Sequence, residues 1–251
     1  LSRGYKRRTR GFRHVDTDSP SRQVGDEPRQ IKRKFPEATV SVSANRVAGI
    51  NKLMDEVESL DAIVLDDAYQ HRKVKAGVSI LLVDYHRPME EDHMLPYGEL
   101  REPPVEMRRA NIIIVTNTPH ELKPIEKRIM EKRIDPYPYQ DLFFSYVYYD
   151  GLTPVFKEAQ NSGPINENDL GSDDYHVLLI TGIAKSLRVR THLEKYTSNI
   201  THMEFGDHHS YTKKDIKNIA RTFQEINTEK KLILTTEKDA VKINERSEER
   251  R

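Results

Sequence analysis

Ala62-Ile-Val-Leu65 runs directly into Asp66-Asp67, a short apolar strand ending in two carboxylates. In open parallel sheets ligands sit beyond the carboxyl ends of the strands, and an acid there can hold the Mg2+ that bridges nucleotide phosphates. This is the form of a Walker B element, although apolar runs ending in acids also occur where nothing binds. Gly25-Asp26-Glu27-Pro28 presents two more adjacent acids in a turn after a basic stretch. Asp26 has the chemistry of a general base or of a metal-assisting carboxylate, but taken alone the block reads first as an ordinary turn with a helix cap. Phe205-Gly-Asp-His208-His209 stands just before Thr212, a plausible helix cap with Asp215 three residues on. A histidine beside a carboxylate can shuttle or stabilise a proton. Asp-His-His alone lacks the spacing of a third ligand that zinc requires.

Two charged loops follow expected strands and so face the ligand end of a sheet. They are Leu95-Pro-Tyr-Gly-Glu-Leu-Arg-Glu102-Pro103 and Thr235-Thr-Glu-Lys-Asp-Ala240; the second has charges suited to phosphate or simply to a helix cap. A nucleotide kinase of this build also needs a Gly-rich loop ending in Gly-Lys-Ser/Thr, whose amides and lysine wrap the phosphates. No Gly-Lys pair occurs in the 251 residues. The chain opens on Leu1-Ser-Arg-Gly-Tyr5, which reads as a strand end entering a loop, so the phosphate loop is expected upstream. These 251 residues alone are expected to transfer little or no phosphate, because the groups that grip the β and γ phosphates are missing.

The elements that must hold these residues alternate in type. Strands are expected over residues 62–65, 79–85, 112–116, 142–149, 177–181 and 231–235, several of them continuously apolar, as doubly covered parallel strands are. Helices are expected over 44–59, 119–132, 186–196 and 212–225. Strand, helix, strand implies an α/β fold with a mostly parallel sheet and flanking helices. Between Asp150 and Asp174 the composition turns to Gly, Pro, Asn and acids, the mark of a domain junction. Residues 142–149 and 152–156 are expected to pair there as a short β ribbon. The division is then 1–150, a core without its phosphate loop; 151–174, the linker; and 175–251, a second α/β lobe.

The composition restricts the setting. No stretch approaches the roughly 20 apolar residues that span a bilayer, and the segment carries no export signal. With no cysteine, disulfides and thiolate metal sites are excluded. Net charge is +1, yet the first 34 residues hold eleven Lys/Arg against four acids. Such an end attracts anions, whether nucleic acid, lipid headgroups or a phosphorylated substrate, or is merely a solvated basic face.

Taken in order, the blocks Leu1–Tyr5, Val24–Pro28, Asp66-Asp-Ala-Tyr-Gln-His-Arg72, Leu95–Pro103, Thr181-Gly-Ile183, Phe205–His209 and Thr235–Val241 resemble the tetraacyldisaccharide 4'-kinases of lipid A biosynthesis. Only Ala68-Tyr69 departs, where Gly-Phe is more usual. The resemblance implies a P-loop fold of two lobes joined by a β ribbon, acting at the cytoplasmic face of the bacterial inner membrane. It implies transfer of the ATP γ-phosphate to the 4'-hydroxyl of a tetraacyldisaccharide 1-phosphate, with Mg2+. By position Asp26 is the base and His208 its support, Asp66 and Asp67 hold the metal, Glu27 assists it, and Tyr5 and Glu102 contact the nucleotide or substrate. The implied partners are the lipid A disaccharide precursor and an anionic membrane surface, not nucleic acid. Two other readings stay open: an anionic-surface or nucleic-acid binding module built on the basic stretch Arg3–Lys34, and a non-catalytic relative of the kinase.

Overall fold

The computed structural model describes residues 1–155, 165–172, 174–207 and 209–248. The chain forms two compact units, one made of Leu1–Val64 with Asp150–Arg251 and the other of Leu65–Tyr149.

The first unit begins with a small antiparallel pair, β1 (Arg13–His14) on β2 (Ser41–Val42). Between them lie α1 (Ser21–Val24) and α2 (Asp26–Lys34), and after them α3 (Arg46–Glu56). Leu1 and Ser2 run beside this pair: the Ser2 amide donates to the Ser41 carbonyl at 2.9 Å, and the Ser43 amide to Ser2 at 3.0 Å.

The second unit is a parallel sheet of β3 (Ile80–Asp84), β4 (Ile112–Thr116) and β5 (Asp141–Phe144), in that order, with α4 (Pro124–Ile134). Its core gathers Val83, Ala110, Ile113, Val115, Met130 and Ile134. Alternation along the central strand explains the choice, since Ile113 and Val115 are fully buried and share one face. Ile80 and Leu82, on the edge strand, remain exposed.

The rest of the first unit is a second parallel sheet of order β7 (Ile200–Glu204), β6 (His176–Thr181), β8 (Lys231–Thr235), accompanied by α5 (Glu167–Ser172), α6 (Ser186–Leu193), α7 (Lys213–Glu225) and α8 (Glu237–Glu248). The unbroken run Val177-Leu-Leu-Ile180 is a strand buried on both faces. Val177 and Leu179 join Leu170 and Leu193 on one side, while Leu178 and Ile180 join Tyr211 and Ile219 on the other. Each such side chain contributes about 1.5 to 3 kcal/mol by leaving water. Helix α7 starts as its sequence predicts: the Thr212 hydroxyl accepts from the Asp215 amide, and Asp215 accepts from the Thr212 amide.

The α/β class with parallel sheets is therefore as expected, and two expected elements differ. Residues 62–65 form no ladder. A strand exists through its neighbours; the backbone nitrogen of Leu1 donates to the Val64 carbonyl at 2.7 Å, and the Val64 side chain is exposed. Nor do residues 145–155 form a ribbon: the fifth strand stops at Phe144. Phe156, the far end of that expected pairing, lies outside the described residues.

Candidate active site

In the first unit, five of the seven blocks picked out in the sequence converge. Asp26 is the first residue of α2, and Gly25 before it has φ 97°, in the region that favours glycine. A Cβ on Gly25 would stand 3.2 Å from the Cα of Gly4, which itself has φ 70°. A Cβ on Gly4 would in turn stand 2.8 Å from the Val24 carbonyl. The two glycine turns thus touch backbone to backbone, and their contact sets where the Asp26 side chain begins. Asp26 and Glu27 both lie in the first helical turn, where the N-terminal end of the helix favours negative charge. Asp26 is half-buried and Glu27 exposed.

From the far end of the chain, α8 closes on α2. Glu237 receives Gln30 and Lys34, each at 3.3 Å. The ammonium of Lys242 lies 3.4 Å from Asp26 Oδ2 and 4.0 Å from Asp239 Oδ1. Asp239 is wholly buried. Its Oδ2 accepts from the Gly182 amide and the Thr236 hydroxyl, both at 2.8 Å, which ties the Thr181-Gly182 turn to the start of α8. Gly182 is required there, because a Cβ would come within 2.9 Å of Asp239 Oδ1 and 3.2 Å of the Tyr211 hydroxyl. Burial, and then the charge of Asp239, push the Tyr211 phenol well above its ordinary value.

The Phe205–His209 block stands beside this centre. His209 stacks on Phe205 with centroids 4.7 Å apart, meets Tyr211 edge-on at 5.1 Å, and bonds Asp215 Oδ2 at 3.1 Å. Asp207 pairs with Lys238 at 3.7 Å. His208, the residue expected to support the base, lies outside the described residues. Tyr5 is exposed, with the Lys6 ammonium 5.4 Å from its ring centre.

The other two blocks meet in the second unit. Asp66 is half-buried, and Asp67 is exposed in the left-handed region at φ 45° with the Arg101 guanidinium 3.9 Å away. The turn that follows is organised by Arg109. Its guanidinium lies 4.2 Å over the Tyr69 ring, donates to the Tyr69 carbonyl at 2.8 Å and to Glu106 at 2.9 Å, and also bonds Glu102. Arg72 adds a contact of 2.9 Å to Glu106 and one of 3.4 Å to Glu102. Glu106 consequently sits below the usual carboxylate range: burial alone would raise it, but the two guanidiniums outweigh that. Tyr69 makes use of the hydroxyl that a phenylalanine would lack, donating to the Glu106 carbonyl at 2.7 Å.

Sequence reasoning did not single out Lys242, Tyr211 or Arg109, and it took Asp239 only as one charge of the Thr235–Ala240 block. Asp239 and Lys242 stand three apart on one helix, a spacing that shares a face and could have been noticed. The approach of that face to Asp26 is tertiary and has no local signal. Among the described residues no helix is long and apolar enough to cross a membrane, and no cluster of three or more acidic or histidine side chains forms a ready-made metal cage. The second observation is compatible with Mg2+, which keeps waters and phosphate oxygens and takes only one or two carboxylates from the protein.

Comparison with known proteins identifies the family. The chain matches the family described as Tetraacyldisaccharide-1-P 4'-kinase over residues 1–251. A tetraacyldisaccharide 4'-kinase of Bacteroides thetaiotaomicron is 44% identical over 247 residues, covering 97% of this chain and 65% of that protein. One of Phocaeicola vulgatus is 41% identical over 245 residues, covering 97% and 66%. The chain therefore spans just under two thirds of the length of these curated relatives. A crystal structure of LpxK from Aquifex aeolicus in complex with ATP is similar with a TM-score of 0.68 at 25% identity, covering 97% of this chain and 69% of that one.

Proposed function

Because the chain belongs to the tetraacyldisaccharide-1-P 4'-kinase family, we propose that the protein transfers the γ-phosphate of ATP to the 4'-hydroxyl of a tetraacyldisaccharide 1-phosphate, a step of lipid A biosynthesis. The observation that carries this reading is the placement of Asp26. Two glycine turns in contact hold the start of α2, and the ammonium of a buried lysine from α8 lies 3.4 Å from the carboxylate.

Phosphoryl transfer asks the protein for position and charge neutralisation more than for covalent chemistry. In this reading Asp26 accepts the proton of the attacking hydroxyl, and His208 supports it. Asp66 and Asp67 hold Mg2+, for which carboxylate oxygens are the appropriate hard donors, and Glu27 assists. The metal, when bound, neutralises charge on the phosphates. The exposed carboxylate of Asp67 and its turn conformation support that role. Tyr5 and Glu102 contact nucleotide or substrate. By function, residues 1–150 are the kinase core, 151–174 the connection and 175–251 the second lobe.

The basic segment ahead of α2 suits a phosphorylated lipid held in an anionic bilayer. We place the protein peripherally at the cytoplasmic face of the inner membrane, without a nucleic-acid partner. The test is ATP-dependent phosphorylation of the purified disaccharide by the full-length protein, followed by the position of the new phosphate. Transfer to the 4'-oxygen is expected; no lipid product, or phosphate at another position, contradicts the proposal.

A further inference from the structure

The described residues hold one buried ammonium without a hydrogen-bond acceptor, that of Lys242, and it lies beside the candidate base. Its side chain is 6% exposed. Taking an ammonium out of water is costly unless anions compensate it closely, and here both carboxylates stand off, at 3.4 Å and 4.0 Å. Asp239 is fixed independently, since its other oxygen is held by the Gly182 amide and the Thr236 hydroxyl. A lysine serving only to neutralise Asp239 would close on the oxygen that remains, yet the ammonium stays 4.0 Å from that Oδ1. The ammonium instead stands nearer to Asp26, between a buried carboxylate held by two hydrogen bonds and one at a helix start.

We propose that Lys242 is a positioning residue for the transfer, its buried ammonium set between the Asp26 and Asp239 carboxylates so that Asp26 is held in line for the attacking hydroxyl. The inference rests on the reading of Asp26 as the base. Asp239 is the anchor of this relay, and the Thr181-Gly182 turn is its footing. The consequence is that α8, at the far end of the chain from α2, is part of the catalytic frame.

The experiment measures kcat and both KM values in the full-length protein carrying Lys242→Met, Lys242→Arg, Asp26→Asn and the Asp26→Asn/Lys242→Met pair. Misplacing a reacting group by about 1 Å can cost on the order of 100-fold. Lys242→Met is therefore expected to lower kcat roughly 10- to 100-fold, with KM for ATP and disaccharide within about twofold of wild type. Lys242→Arg, which keeps the charge, retains more activity than Lys242→Met. In the Asp26→Asn background the lysine substitution adds no further loss, because residues acting as a unit are not additive. Wild-type kcat in Lys242→Met, or losses that multiply in the double variant, overturns the proposal. Should Lys242→Met unfold by leaving Asp239 buried and unpaired, Lys242→Met/Asp239→Asn removes both charges. The same fall in kcat is expected there, and wild-type turnover overturns the proposal. An Asp26→Asn enzyme with full activity shows a different failure, that of the base assignment.

Discussion

Gly4 and Gly25 come from separate sequence blocks and meet backbone to backbone, so that a Cβ on Gly25 would lie 3.2 Å from Gly4 Cα. That contact joins the opening of the chain to the start of α2 and fixes the root of Asp26. Gly25→Ala is doubly unfavourable, because L side chains rarely adopt φ 97° and the added carbon would press on the Gly4 backbone at 3.2 Å. We expect a loss of about 1 to 3 kcal/mol, read as a lowered thermal midpoint. The fall in kcat should exceed that of Gly11→Ala, whose site is equally left-handed but has open space around it.

Arg109 organises the turn after Asp66-Asp67 by bridging Tyr69, Glu102 and Glu106. Tyr69→Phe removes the hydroxyl that donates to the Glu106 carbonyl and, more weakly, to that of Met107, and should cost about 1 kcal/mol in chemical denaturation. Arg109→Met leaves two largely buried carboxylates with Arg72 alone, and should cost more than Tyr69→Phe. Equal midpoints for the two variants would contradict the account of this turn.

The cap of α7 gives a pH dependence of known sign. Backbone and hydroxyl bonds from Thr212, with His209 nearby, hold Asp215 below its ordinary carboxylate value. A carboxylate depressed in the folded state contributes stability that is full above its unfolded value, near pH 4, and that disappears as pH falls through the lower folded value. Thr212→Ala should cost about 1 kcal/mol at neutral pH. The gap between its thermal midpoint and that of wild type should narrow as the pH is lowered below about 4.

Much of the frame was legible from residue order. The strands at 112–116 and 231–235 have the bounds that periodicity assigns them, and the Thr212–Asp215 cap is a purely local signal. Residues 62–65 look like a strand because their apolar run is one, but strand formation depends on neighbours that no local pattern specifies. The same limit explains the site. Asp26 could be chosen from its own block, whereas Lys242 acquires meaning only when α8 is laid against α2. Five blocks converge because glycines at 4, 25 and 182 allow close approach, a property each block shows singly while their meeting is set by the fold.

The central claim is that Asp26 removes the proton of the attacking hydroxyl. Its most direct measure is single-turnover transfer of labelled γ-phosphate from ATP to tetraacyldisaccharide 1-phosphate by the full-length protein, wild type against Asp26→Asn, with both substrates saturating. A positioned base contributes roughly 100- to 10,000-fold. The account predicts a fall of that order in the rate of transfer with ATP binding retained. A rate for Asp26→Asn equal to wild type would contradict it.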